Sequence, residues 1–201
     1  MSYDEPRYVT PTLDDPYPER DDWAHVDNFR YMSPLHLYRA RRGIRFGTVK
    51  RGADYVVAQP YSVEIDIDGE TKRITVPAGM LTDLASVPTA VRSVVGRVGR
   101  HLEASIVHDF LYIAWQDLEN RKPTKRNRKY ADRVFKAGLE AADSRVKGVI
   151  VCMVRWFGRS VFEGTDQPRY IDPEDIEPAA RPLPPKGNQD NDDNQDTPII
   201  A

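Results

Sequence analysis

In SVEIDI (62–67), just before Asp68-Gly69, polar and apolar residues alternate strictly. A period of two marks a strand with one buried face, and it places Val63, Ile65 and Ile67 on the same side. Asp-Gly favours a two-residue hairpin turn because both positions accept positive φ, so TKRITV is expected to return along SVEIDI. Tyr55-Val56-Val57 extends the β-rich stretch. RRGIRFGTVKRG (41–52) is expected as a third strand whose cations blunt an edge.

Beyond Val76 the period changes. VPAGMLTDLASVPTAV is a loop leading into helical territory. Ser86 is expected to cap a short helix through Val94, with Pro88 in its first turn, where a missing N–H does no harm. LEASIVHDFLYIAWQDL (102–118) carries an apolar stripe at Val107, Phe110, Leu111, Ala114 and Leu118. ENRKPTKRN is expected as a basic loop. RKYADRVFKAGLEAA (128–142) turns Ala131, Val134, Phe135, Gly138 and Leu139 inward. SRVKGVIVCMVRWFGRSVF (144–162) is apolar nearly all round at its centre and is expected to be the most buried helix, capped by Ser144. Strands followed by helices predict an α+β domain: a small antiparallel sheet from about residue 44 to 78, then three or four helices.

The 201 residues suit one domain of ordinary size with appendages. Residues 1–36 hold five prolines, eight acidic and three basic side chains, and the aromatics Tyr3, Tyr8, Tyr17, Trp23, Phe29 and Tyr31. This composition predicts an extended arm that orders by laying Tyr8, Tyr17, Trp23, Phe29 and Tyr31 on another surface, of this molecule or a partner. Residues 163–201 hold seven prolines, ten acidic and three basic side chains, and are expected to form a flexible acidic tail. Residues 37–162, the expected domain, therefore carry 13 acidic and 23 basic side chains: a basic core between two acidic arms.

The formal net charge of −2 points to neither nucleic acid nor a membrane surface as a partner. Cys152 is the lone cysteine, so no internal disulfide can form, and within GVIVCMV it reads as a small core residue. MSYDEPRYV lacks the apolar run of a secretory signal, and no stretch reaches 18 apolar residues, so synthesis and folding in the cytoplasm are expected.

The chemistry concentrates in VHDFLYIAW and ADRVF. On a helix His108 and Tyr112 lie one turn apart on one face, while Asp109 points about 100° away. A second helix would bring Asp132 alongside His108, and a carboxylate against an imidazole fixes its tautomer and raises its basicity. Asp109 is then left to hold a hard divalent cation such as calcium. Asp83, with Ser86, either caps the following helix or joins the cluster as a second metal ligand. The competing reading is a buried, hydrogen-bonded structural histidine. RKPTKRNRK (121–129) holds six Lys/Arg in nine residues, a solvated loop, a dock for an acidic arm of a neighbouring copy, or a phosphate contact. His101 reads as a capping or surface residue, and His25 and His36 have no acidic partner at informative spacing.

TDLASVP (82–88), VHDFLY (107–112), ADRVF (131–135) and VRWFG (154–158), in that order, resemble the family catalogued as domain of unknown function 1353. The resemblance covers roughly residues 55–160 and implies a bacteriophage or prophage setting without a settled activity. His-Asp-x-x-Tyr with a later Asp is also similar to secreted and parvoviral phospholipases A2. That similarity implies His108 as the base activating a water, Asp132 and Tyr112 orienting it, and Asp109 as calcium ligand. The glycine-rich calcium loop of those enzymes has no counterpart here, since the nearest glycine pair, Gly96 and Gly99, has the wrong spacing.

Two function classes follow. One is a virion-associated structural or accessory protein incorporated in the phage particle, its arms docking on other virion proteins or on copies of itself. The other is a metal-assisted hydrolase acting on membrane lipid or cell envelope, with His108 as general base.

Overall fold

The computed structural model describes residues 7–39, 55–82, 101–119, 121–142, 162 and 169–176. They form an α+β structure of two small antiparallel sheets and two α-helices. One sheet has the order β1-β4-β5, from β1 (Val26–Tyr31), β4 (Tyr61–Ile67) and β5 (Glu70–Val76). The other has the order β2-β3-β6, from β2 (Leu37–Arg39), β3 (Tyr55–Val57) and β6 (Leu81–Thr82).

The hairpin forms where the alternation places it. Ile67 pairs with Glu70 across Asp68 and Gly69, which have φ of 50° and 89°, as a primed turn requires. Tyr61, Val63, Ile65, Ile74 and Val76 point into the core and are fully buried. The opposite face is polar: Arg30 bonds Asp66 at 2.8 Å, and Arg73 bonds Glu64 at 2.8 Å.

The third strand of this sheet comes from the N-terminal segment. β1 pairs with β4 in a register that shifts between Asp27 and Arg30, where Asn28 has φ of 50°. Such a bulge interrupts the period of two, which hid the strand from the alternation. The Asp68 carboxylate fastens its entry by accepting from the backbone N–H of Ala24 and His25 at 2.9 and 2.7 Å. Residues 7–36 of the expected arm thus lay Tyr17, Trp23 and Phe29 into this molecule's own core and supply β1.

Residues 169–171 of the expected tail are also bound. Tyr170 and Ile171 bridge Met80 and Tyr8, and Arg169 forms a buried ion pair with Asp117. Gly79 has φ of 85° and sits where an added Cβ would strike the Ile171 carbonyl.

Helix α1 (His101–Ile113) runs into a 3-10 turn over Ala114–Asp117, and α2 spans Lys125–Ala141. The Thr124 hydroxyl caps α2 by accepting from the Asn127 N–H at 3.0 Å. α2 therefore starts three residues before the expected boundary, and Lys125, Arg126 and Asn127 of the expected basic loop are helical. Gly138 lies against Ala104 while Asp132 lies against Tyr112, so the two helices run antiparallel. Val107, Phe110, Leu111, Ala114, Ala131, Val134, Phe135, Gly138 and Leu139 are buried as their spacing predicts, and Leu118 is half-buried.

Several expectations lie outside the described residues: the strand at 41–52, Asp83, Ser86 and Pro88 with the helix to 94, Cys152 with the helix 144–162, and the tail past 176. Among the described residues no helix is long and apolar enough to cross a membrane.

Candidate functional site

α1 places His108 and Tyr112 one turn apart, both buried, and α2 brings Asp132 between them. The Tyr112 hydroxyl donates to Asp132 Oδ1 at 2.7 Å, and His108 Nε2 lies 3.4 Å from that same oxygen. The shorter bond belongs to the tyrosine; the longer is at the outer limit of hydrogen bonding. Burial and the adjacent Asp132 carboxylate push the Tyr112 phenol above its usual value, so it stays protonated and keeps donating.

Aromatic rings wall the imidazole. His108 packs against Tyr112 with centroids 4.1 Å apart and against Phe135 at 4.7 Å, and Tyr112 meets Phe162 edge-on at 5.2 Å. The His108 side chain is 4% exposed and that of Asp132 is 17% exposed. Directing Nε2–H at a carboxylate leaves the lone pair on Nδ1, the atom that would act as a base. The arrangement can thus orient an imidazole, and it also joins two helices through a shared carboxylate.

Asp109 points elsewhere, as its position on the helix predicts. It is half-buried, and its Oδ2 accepts from the Thr82 hydroxyl at 3.1 Å, which ties α1 to β6. Among the described residues no three His, Cys, Asp or Glu gather as metal ligands. Asp83, Ser86 and Pro88 lie outside them.

The aromatics expected to meet a partner divide differently. Tyr17, Trp23 and Phe29 are buried in the molecule's own core, and Tyr31 is half-buried with its hydroxyl on the Gly138 carbonyl at 3.2 Å. Tyr8 remains 43% exposed. The buried Tyr17 hydroxyl is satisfied by partners that composition does not reveal. The Tyr17 hydroxyl donates to the Leu111 carbonyl at 2.6 Å and accepts from the Trp115 N–H at 3.2 Å.

Three supporting residues escaped the sequence reading of the site. Phe135, inward-facing by its spacing, lies three residues from Asp132 on the same helix and packs on His108. Thr82 precedes Asp83 and carries no signal in the sequence, because hydroxyl-carboxylate pairs have no characteristic spacing. Phe162 reaches Tyr112 from 50 residues away along the chain, a distance over which periodicity carries no information.

Comparison with curated proteins and with solved structures finds no match to this chain. Residues 55–152, which hold β3 to β6, both helices and the His108–Tyr112–Asp132 cluster, match the model of the family described as "Protein of unknown function (DUF1353)".

Proposed function

We propose that the chain is a bacteriophage or prophage virion-associated accessory protein whose His108–Tyr112–Asp132 cluster ties α1 to α2 and turns over no substrate. The burial of the imidazole carries the second half of this reading. His108 is walled by two rings, and the stronger bond of Asp132 is already made to Tyr112. The phage setting rests on the family resemblance. With Tyr17, Trp23 and Phe29 inside the core, contacts to other virion proteins or to copies of itself fall to exposed positions such as Tyr8, Val9 and Met32.

A second reading, a metal-assisted hydrolase with His108 as base, draws on the Nε2–carboxylate approach and the partial exposure of Asp132. One experiment separates the two. The wild-type chain and His108→Ala are assayed on phospholipid vesicles and peptidoglycan, with and without calcium, and their unfolding free energies are measured. The structural reading expects no turnover and a stability loss of about 2–4 kcal/mol, as for deleting a packed ring. Wild-type turnover that disappears in a fully stable His108→Ala overturns it.

A further inference from the structure

Residues 121–142 carry eight Lys/Arg and two carboxylates, Asp132 and Glu140. Asp132 is engaged by Tyr112 and His108, and Glu140 lies 3.7 Å from Lys136. Arg121 pairs with Asp15 of the N-terminal segment, and Arg126 donates to the Trp23 carbonyl. Among the described residues Lys122, Lys125, Arg128, Lys129 and Arg133 make no ion pair. Lys122, Lys125, Lys129, Arg133 and Lys136 are all exposed. From Lys125 onward they recur at four-, four- and three-residue steps, which gathers them on one face of α2.

The first turn of α2 contains no acidic residue. Cations at the positive end of a helix dipole repel it and one another, and a bound anion offsets that local cost. An isolated phosphate would satisfy one or two of these groups. The row from Lys125 to Lys136 spans about 17 Å at 1.5 Å per residue, the axial length of about five phosphates of one nucleic-acid strand.

Two further observations narrow the partner. Trp23, the aromatic ring within the patch, is 4% exposed beneath Arg126 and Lys129, so it offers no face for a base to stack on. The exposed large apolar side chains among the described residues are Tyr8, Val9 and Met32, none of them on α2. A membrane-binding helix needs an apolar face beside its cations, and this one has a solvated face of cations alone.

We infer that the exposed face of α2, built from Lys125, Lys129, Arg133 and Lys136 and extended by Lys122 just before the helix, binds the phosphate backbone of nucleic acid without reading its sequence. The face adjoins Asp132, but binding needs no turnover there.

The test uses the full chain with fluorescently labelled DNA duplexes of two unrelated sequences, titrated across a salt series, beside the double variant Lys129→Glu/Arg133→Glu. Lys72→Glu on β5 changes net charge outside α2. Equal affinity for both sequences is expected, with a log–log salt slope of about −3 to −4 from roughly four neutralised phosphates. The double variant should weaken binding at least tenfold while keeping the wild-type circular dichroism and melting temperature, and Lys72→Glu should change it less than threefold. Absence of duplex binding at low salt overturns the inference, as does equal weakening by Lys72→Glu. Binding to anionic vesicles but not to duplex assigns the face to a membrane and also overturns it.

Discussion

The hydroxyl of Tyr112 donates to the Asp132 carboxylate at 2.7 Å, joining α1 to α2 at the oxygen that His108 approaches from 3.4 Å. Twenty residues and a basic turn separate the two side chains in sequence. Because Asp132 accepts from both, loosening either donor changes what the other meets.

Tyr17→Phe tests whether the N-terminal segment belongs to the fold. Its hydroxyl serves the Leu111 carbonyl and the Trp115 N–H, and its loss leaves a buried N–H without that partner. A destabilisation of about 1–3 kcal/mol is expected in chemical denaturation. Removal of residues 1–36 should abolish the cooperative transition, since β1 and three core aromatics leave with it. A truncation that melts like wild type would show that the arm is dispensable.

Gly138→Ala sets two effects against each other. In an open helix the change gains about 1 kcal/mol. Here the new Cβ would sit 2.7 Å from the Ala104 Cβ and 3.2 Å from the Phe29 ring. Neither neighbour is the end of a flexible chain, so overpacking wins and a net loss of about 1–3 kcal/mol is expected. A higher melting temperature would show that the helices can separate there without cost.

Acid stability should depend on Asp66 and Asp68. Arg30, then Asn28 and Thr71, hold the Asp66 carboxyl below its usual range, and the Ala24 and His25 N–H groups lower that of Asp68. A lowered folded value stabilises the fold above the unfolded carboxylate pKa of about 4, and the contribution is lost as pH falls through the folded value. The melting temperature should drop as pH falls below about 4, and Asp66→Asn should flatten that slope. An unchanged slope in the variant would remove Asp66 from the account.

At the alkaline end the sign reverses. Burial raises the phenols of Tyr17, Tyr61, Tyr112, Tyr130 and Tyr170. Their contribution is complete below the unfolded value of about 10 and is lost as pH climbs above it toward the folded values. Phenolate absorbance should therefore lag in the folded protein and rise cooperatively with unfolding. Independent titration of all ten tyrosines near pH 10 would contradict the burial.

The hairpin and both described helices were legible because a period of two or of 3.6 repeats long enough to exceed noise, and Asp68-Gly69 names its own turn. The shared face of His108 and Tyr112 was legible for the same reason, whereas their meeting with Asp132 depends on how a second helix packs, which spacing within one helix does not fix. β1 was not, because its bulge at Asn28 breaks alternation, and proline-rich flanks gave Tyr17 and Trp23 the look of an arm. Their burial depends on Leu111, Trp115 and Tyr130, about 90 to 115 residues downstream, which no local pattern reports.

The central claim, that the cluster is a structural tie, is tested most directly by a double-mutant cycle of Tyr112→Phe and Asp132→Ala in chemical denaturation. A hydrogen bond to a carboxylate that is 17% exposed should give a coupling of about 1–2 kcal/mol. Additivity to within about 0.3–0.5 kcal/mol would contradict the account, because independent residues hold nothing together.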